Sequence, residues 1–339
     1  MTIGVLLCGQ RIGAQAPRTA PAGKTRTYYV AADEVQWGYA PSGRDEAMGP
    51  AEDRYLGLVG PILRGEVGDT IKVVFKNTAT HPYSMHPHGV LYGKDSEGVD
   101  YNDGTSGADR KDGGVPPGAT HTYVWRIPER AGPGPRDPSS LVWLYHSHTD
   151  ELRDVASGLF GAIIVTRRGM ARPDGRPKDV DREFVNVFIA LNENESVYLD
   201  DNIRDHTTDP KGVHRDDSHP ISADGMAGTV VGTGFVETNI KWSINGYLFG
   251  NMPMMTMKRG DRVRWYVATL GDLFNAHTPH WHGNTVLVAG QRADVIAVEA
   301  AQMITADMVP DAVGIWLYHC HFSDHMLAGM VARYEVKAR

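Results

Sequence analysis

Short runs in which apolar and polar residues alternate dominate this chain, and the three-to-four spacing of an amphipathic helix is almost absent. Residues 70–75 run Thr70-Ile71-Lys72-Val73-Val74-Phe75, and residues 262–267 run Arg262-Val263-Arg264-Trp265-Tyr266-Val267. Each follows a Gly-Asp pair, Gly68-Asp69 or Gly260-Asp261, as a turn entering a strand would. Further β-type runs cover residues 120–127, 159–165, 184–189 and 330–336, with Gly and Pro clusters between them. Many short strands separated by turn signals predict an all-β protein made of two β-sandwiches.

The order of features repeats, which is why two units are expected. His86-Pro87-His88-Gly89 recurs as His280-Trp281-His282-Gly283, and Trp143-Leu144-Tyr145-His146-Ser147-His148 recurs as Trp316-Leu317-Tyr318-His319-Cys320-His321. The first half carries a longer polar insert, near Asp95 to Gly114. Between the halves, residues 167–178 are too rich in Pro, Gly and charge to lie inside a core. The expected division is a leader over 1–22, a first domain over 23–166, a linker over 167–182 and a second domain over 183–339. A stretch near Arg204 to Glu237, with His206, His214 and His219, is long and polar enough to be either a functional loop or a solvated one.

Composition narrows the function classes. With 339 residues, 41% hydrophobic and 22% charged, the chain can bury two ordinary cores, and no apolar run is long enough for a helical membrane span. A net charge of -7 with mixed signs argues against a nucleic-acid groove. Ile3 to Leu7 followed by Ala14-Gln15-Ala16 reads as part of an export signal, although a basic start is missing. The protein is therefore expected outside the cytoplasm, periplasmic or extracellular. Removal of such a leader takes Cys8 with it and leaves Cys320 as the sole cysteine, unable to form an intrachain disulfide.

Cys320 has a chemical reason to stand alone. On a strand, neighbouring side chains face opposite sides, so His319 and His321 point one way and Cys320 the other. One tripeptide can then serve two metal sites. His325 follows five positions after Cys320, Met330 five after that, and His277 lies upstream. Two imidazoles, a thiolate and a weak axial thioether make a blue-copper electron-transfer set. The bland alternative is a small buried Cys and a core Met. The other histidines point to a second centre: of 15 in the chain, eight form four His-X-His pairs. His86, His88, His146 and His148 come from the first half, and His280, His282, His319 and His321 from the second. Aligning the halves sets Tyr83 against His277, Ser147 against Cys320, Leu152 near His325 and Leu159 at Met330. The first half thus keeps the His-X-His pairs and loses the thiolate site.

In these motifs the chain resembles the two-domain laccases, a branch of the multicopper oxidases built from cupredoxin-like Greek-key β-sandwich domains; residues 86–168 also resemble the corresponding part of ceruloplasmin, including Tyr92-Gly93-Lys94. The resemblance implies four coppers per chain. His277, Cys320, His325 and Met330 would hold type 1 copper, His86 and His280 type 2 copper, and His88, His146, His148, His282, His319 and His321 the type 3 pair. It further implies a homotrimer whose trinuclear clusters join one subunit's first domain to a neighbour's second. Tyr92 and Asp103 would lie beside the cluster as proton-relay residues, with Glu97 competing for the place of Asp103.

The expected activity is one-electron oxidation of a small reducing substrate coupled to reduction of O2 to water, with His319, Cys320 and His321 as the electron path. A phenol or aromatic amine of the laccase type is the first expectation, and Cu(I) or Fe(II) the alternative. Met252, Met254, Met255 and Met257 allow a cuprous-ion role, but core packing at the start of a strand is the first reading. A copper nitrite reductase would keep its type 1 copper in the first half, where Ser147 stands. A simple blue-copper carrier leaves eight histidines unexplained.

Overall fold

The computed structural model describes residues 23–43, 56–218, 234–271 and 276–339. The expected leader with Cys8, and His219 of the polar loop, lie outside them. The regular structure of the described chain is mostly strand, arranged as two cupredoxin-like β-sandwiches. In the first, one sheet runs in the order Thr25–Ala32, Thr70–Asn77, Thr120–Arg126, Leu91–Tyr92, and the other in the order Leu63–Glu66, Phe160–Thr166, Ser140–His146, His86–Pro87. In the second, a six-stranded sheet contains Arg182–Asn192, Val263–Ala268 and Met303–Met308, and a four-stranded sheet runs Met255–Lys258, Val331–Lys337, Gly314–Cys320, Pro279–Trp281. The predicted strands appear with ends shifted by a few residues.

The Gly-Asp turns work as their chemistry suggests. Gly68 and Gly260 have φ of 100° and 82°, a region that favours glycine. Asp69 accepts hydrogen bonds from the backbone N–H groups of Lys24 (2.8 Å) and Glu66 (3.1 Å) and from Arg26 Nε (2.6 Å). This one carboxylate pins the first strand to the turn before the second. Asp261 accepts likewise from the Lys258 N–H at 2.8 Å.

Two strands depart from alternation. Phe160–Thr166 is buried at every position, and Arg182–Asn192 is buried through most of its length. The cause is contact between the halves. Val142, Ala162 and Ile164 pack with Val185 and Tyr266, while Leu144 and Phe160 pack with Val187, Ile189 and Leu191. A sheet covered on both faces reads as a continuous apolar run. Polar groups at this seam are paired. Arg264, 3% exposed, bonds Asp307 through Nε (2.7 Å) and the Ser139 and Ser140 hydroxyls through Nη1 (2.7 and 2.8 Å). Tyr266 donates to Glu183 at 2.8 Å.

Met252, Met255 and Met257 lie buried in the second core beside Trp265 and Tyr334, and Met254 is half-buried. Of the two roles the sequence allowed, packing accounts for the three buried side chains. Residues 204–206 close the helix Leu199–His206, and 210–212 form a 3-10 turn, so this part of the polar stretch is ordered structure.

Candidate metal centres

The His-X-His pairs meet because their strands are hydrogen-bonded neighbours in matching register. His86 lies opposite His146 in the first half, and His280 opposite His319 in the second. Alternation puts the outer histidines of each pair on one face. The equivalence extends to the backbone: the N–H groups of His88 and His282 donate to Leu144 and Leu317 at 2.9 and 3.1 Å. Gly89 and Gly283, at φ of 75° and 71°, turn the chain against the Trp143 and Trp316 rings, where a Cβ would collide.

Each half brings two imidazole nitrogens face to face. His88 Nε2 is 3.1 Å from His146 Nε2, and His282 Nε2 is 2.9 Å from His319 Nε2. The backbone carbonyls of Ser147 and Cys320 lie 3.0 and 2.7 Å from Nδ1 of His146 and His319, in position to accept its proton and leave Nε2 free to bind metal. Burial holds His88 and His319 down to about 4, with neighbouring histidines adding to the effect. Both rings are therefore neutral near pH 7. His280, His282 and His319 can each present a nitrogen within 4.8 Å of the others. The buried Nδ1 of His280 has no hydrogen-bond partner. Among the described residues, the ring contacts of the eight histidines stay within their own half, as in the His86–His148 and His280–His321 pairs at 5.1 and 5.0 Å.

Behind the second group lies the thiol. Cys320 Sγ, His277 and His325 offer ligand atoms within 4.8 Å of one another, and Sγ is 3.5 Å from His325 Nδ1. Cys320, His277 and Met330 are 0% exposed. Burial pushes the thiol up, but hydrogen bonds from His277, His325 and the Thr278 and Phe322 N–H groups outweigh it and bring it down to about 6. A thiolate is thus available at neutral pH for a soft metal ion. The Cys320 N–H donates to the Met330 carbonyl (3.1 Å) and the Met330 N–H to the His325 carbonyl (3.0 Å), closing the loop between these residues.

The first half shows what replaces that thiol. Ser147 Oγ accepts from the Ser84 N–H at 3.0 Å, as Cys320 Sγ accepts from Thr278 N–H at 3.3 Å. The Ser147 N–H donates to Leu159 (3.0 Å), matching Cys320 to Met330. The alignment of Ser147 with Cys320 and Leu159 with Met330 therefore holds in space. Leu152 does not take the place of His325: it is 48% exposed, whereas Asp154 turns inward to accept from Ser147 Oγ at 2.6 Å. The helix Glu151–Ala156 returns a different residue from the one that counting suggests.

Tyr92 lies edge-on to His86, with ring centroids 5.8 Å apart. Asp103 instead pairs with Lys94 at 2.8 Å and bonds Thr105, contacts that hold its carboxyl well below the usual range. Glu97 reaches the site through its backbone, whose carbonyl lies 2.6 Å from His86 Nδ1. Two carboxylates went unanticipated: Glu151 is 3.2 Å from His148 Nε2, and Asp294 is 3.8 Å from His280 Nε2. The acidic run after His148 was a visible signal for the first; nothing local marked the second. A cavity of about 970 Å³ lies elsewhere, beside Glu34, Tyr83 and Tyr198, and none of the motif histidines lines it.

Two buried imidazoles with a thiolate, and clustered imidazoles on the far face of the same strand, form a donor set suited to copper. Two different multicopper oxidase family models match, one over residues 56–169 and the other over residues 225–339. The chain belongs to the multicopper oxidase family. It is 38% identical over 353 residues to ferroxidase HEPHL1 of Homo sapiens, covering 92% of this chain and 29% of that protein. It is 37% identical to hephaestin and 34% to ceruloplasmin of Homo sapiens, covering 93% and 92% of this chain and 30% of each relative. The chain thus spans under a third of the length of these relatives. A solved multicopper oxidase superposes with a TM-score of 0.59 at 21% identity, covering 92% of this chain and 89% of that one. The blue copper oxidase of Nitrosomonas europaea gives 0.54 at 20%, covering 82% and 76%. These superpositions establish the fold, two cupredoxin-like sandwiches.

Proposed function

We propose that this multicopper oxidase is a metallo-oxidase that removes single electrons from Fe(II) or Cu(I) and delivers them to O2. The observation that carries the copper assignment is the convergence of His277, Cys320 and His325 in a buried site, with His319 and His321 flanking the same cysteine. The choice of a metal ion over a phenol rests on the ferroxidase relatives and on Asp324, an exposed carboxylate next to His325. The laccase reading comes second, favoured by the exposed Phe322 and Leu327 near the same site.

His277, Cys320, His325 and Met330 would hold one copper, and the eight paired histidines three more, His86 and His280 being the type 2 ligands. Bound copper would supply one-electron redox chemistry and the reduction of O2. The chain's own contribution is positional. Neutral imidazoles keep their lone pairs available, the lowered thiol supplies a soft anion, and backbone on either side of Cys320 joins the two centres covalently through His319 and His321. Glu151 and Asp294, beside His148 and His280, would set carboxylates next to metal ions held there. Tyr92 remains the candidate proton-handling group beside His86; Asp103, committed to Lys94, is the weaker of the pair.

Four imidazoles per half make two complementary half-sites, and His321 is exposed. That incompleteness supports the reading of a trinuclear site shared between the first domain of one copy and the second of another, as in a homotrimer. We take the domains to be 23–166 and 183–339, joined by 167–182, and the reading of export rests on the leader pattern over 1–22.

Metal analysis with O2-uptake kinetics tests the proposal. Four coppers per chain and a higher kcat/KM for Fe(II) or Cu(I) than for a phenol are expected. One copper per chain returns the simple carrier, and a faster phenol returns the laccase.

A further inference from the structure

The four candidate ligands of the thiolate site are closed off from solvent: His277, Cys320 and Met330 are 0% exposed and His325 is 7% exposed. A donor in solution therefore meets the side chains that cover His325 before it meets most of that ring. Two aromatic rings cover His325. Trp242 stacks on it face to face, with ring centroids 3.9 Å apart and planes 28° apart. Phe322 sits farther away, at 5.1 Å and tilted by 45°. Trp242 lies on Ile240–Ile244, the edge strand of the six-stranded sheet, and is half-buried. Its indole thus has one side on the imidazole and part of its surface in solvent. The same ring meets His277 edge-on at 6.4 Å.

We propose that Trp242 is the electron-entry residue: the donor docks against its exposed edge, and the electron passes through the stacked indole and His325 rings. This rests on the copper reading of the thiolate site. With copper held by these ligands, each transfer would oxidise one Fe(II) to Fe(III) and reduce one Cu(II) to Cu(I). The indole ends unchanged, with its N–H proton in place, so no proton moves. A wide π surface in contact with the imidazole serves donors of different chemistry, because the contact belongs to the protein and not to the donor.

The experiment compares copper-loaded wild type with Trp242→Leu, Trp242→Phe and Phe322→Leu. Stopped-flow mixing with Fe(II), and separately with a phenol, follows bleaching of the thiolate-to-copper band; band position and EPR parameters are recorded first. Tryptophan emission during Cu(II) titration of the metal-free protein gives a readout independent of turnover. Trp242→Leu should slow bleaching by about tenfold or more, the scale of a lost close contact, with the band unmoved. Trp242→Phe, which keeps a ring on His325, should retain most of the rate while losing much of the copper-dependent quenching. Phe322→Leu should bleach at nearly the wild-type rate. Unchanged bleaching in Trp242→Leu overturns the proposal, as does slowing confined to Phe322→Leu. Slowing accompanied by a shifted band or altered EPR also overturns it, because the indole would then merely hold His325 in shape. Should Trp242→Leu not fold, the Phe variant decides through its quenching and rate. A wild type with no band refutes the copper assignment itself, a failure distinct from these.

Discussion

At the residue scale, the contrast between Ser147 and Cys320 shows how one strand design serves two ends. Both side chains accept from an equivalent backbone N–H, and both are flanked by histidines. Around Cys320 the partners are imidazoles; around Ser147 the partner is Asp154, 2% exposed and raised by burial despite its hydrogen bonds. Restoring the sulfur alone should therefore not restore a copper site. Ser147→Cys is expected to stay without a thiolate-to-copper band of its own when loaded with Cu(II), because Asp154 and Tyr83 stand where imidazoles are needed. Carried out in a Cys320→Ser background, the experiment is read as presence or absence of colour, and a new band would refute the account. The His-X-His pairs and Cys320 were legible in the sequence because alternation along a strand is strict. Asp154 was not, because a helix follows Ser147, and which side chain a helix turns inward depends on the length of chain before it. Trp242 was likewise illegible, since a half-buried aromatic on a strand does not announce which ring it will stack against.

At the element scale, the strand starts were legible because Gly-Asp turns have local causes, while the continuous burial of Phe160–Thr166 depends on a sheet contributed by the other half. Asp69 ties three segments through one carboxylate, with Arg26 as its charged partner. Asp69→Asn removes that charge and leaves the guanidinium half-paired, at an expected loss of about 1–3 kcal/mol. Burial raises the Asp69 carboxyl, but Arg26 and the backbone N–H groups outweigh it and leave it below its ordinary value. With a folded value below the unfolded one, its stabilisation is complete above the unfolded value, near 3.9, and is lost as pH falls through the folded value. Denaturant titrations of the metal-free proteins should thus show the full wild-type advantage at neutral pH and a shrinking one below about pH 4. An advantage independent of pH across that window would mean that Asp69 acts through shape alone.

At the scale of the whole molecule, the seam between the halves decides how the two histidine groups can be used. Apolar side chains of Ser140–His146 and Phe160–Thr166 pack on the second half, and Arg264 and Tyr266 carry polar contacts across it. With this seam packed, the two halves are held in a fixed relation, and each group keeps its ring contacts to itself. If the groups complete one another between copies, paired substitutions should complement. A chain carrying His88→Ala and His146→Ala, and one carrying His282→Ala and His319→Ala, should each fail to reduce O2 alone. Co-expressed with different tags and isolated as mixed oligomers, they should recover part of the wild-type rate, because some interfaces then join an intact first half to an intact second half. Recovery cannot occur when the halves of a site come from one chain, since every chain in the mixture is defective in one half. A mixed oligomer that stays inactive while binding copper at the Cys320 site would therefore place the cluster within the chain, and a monomeric wild type with full activity would do so independently.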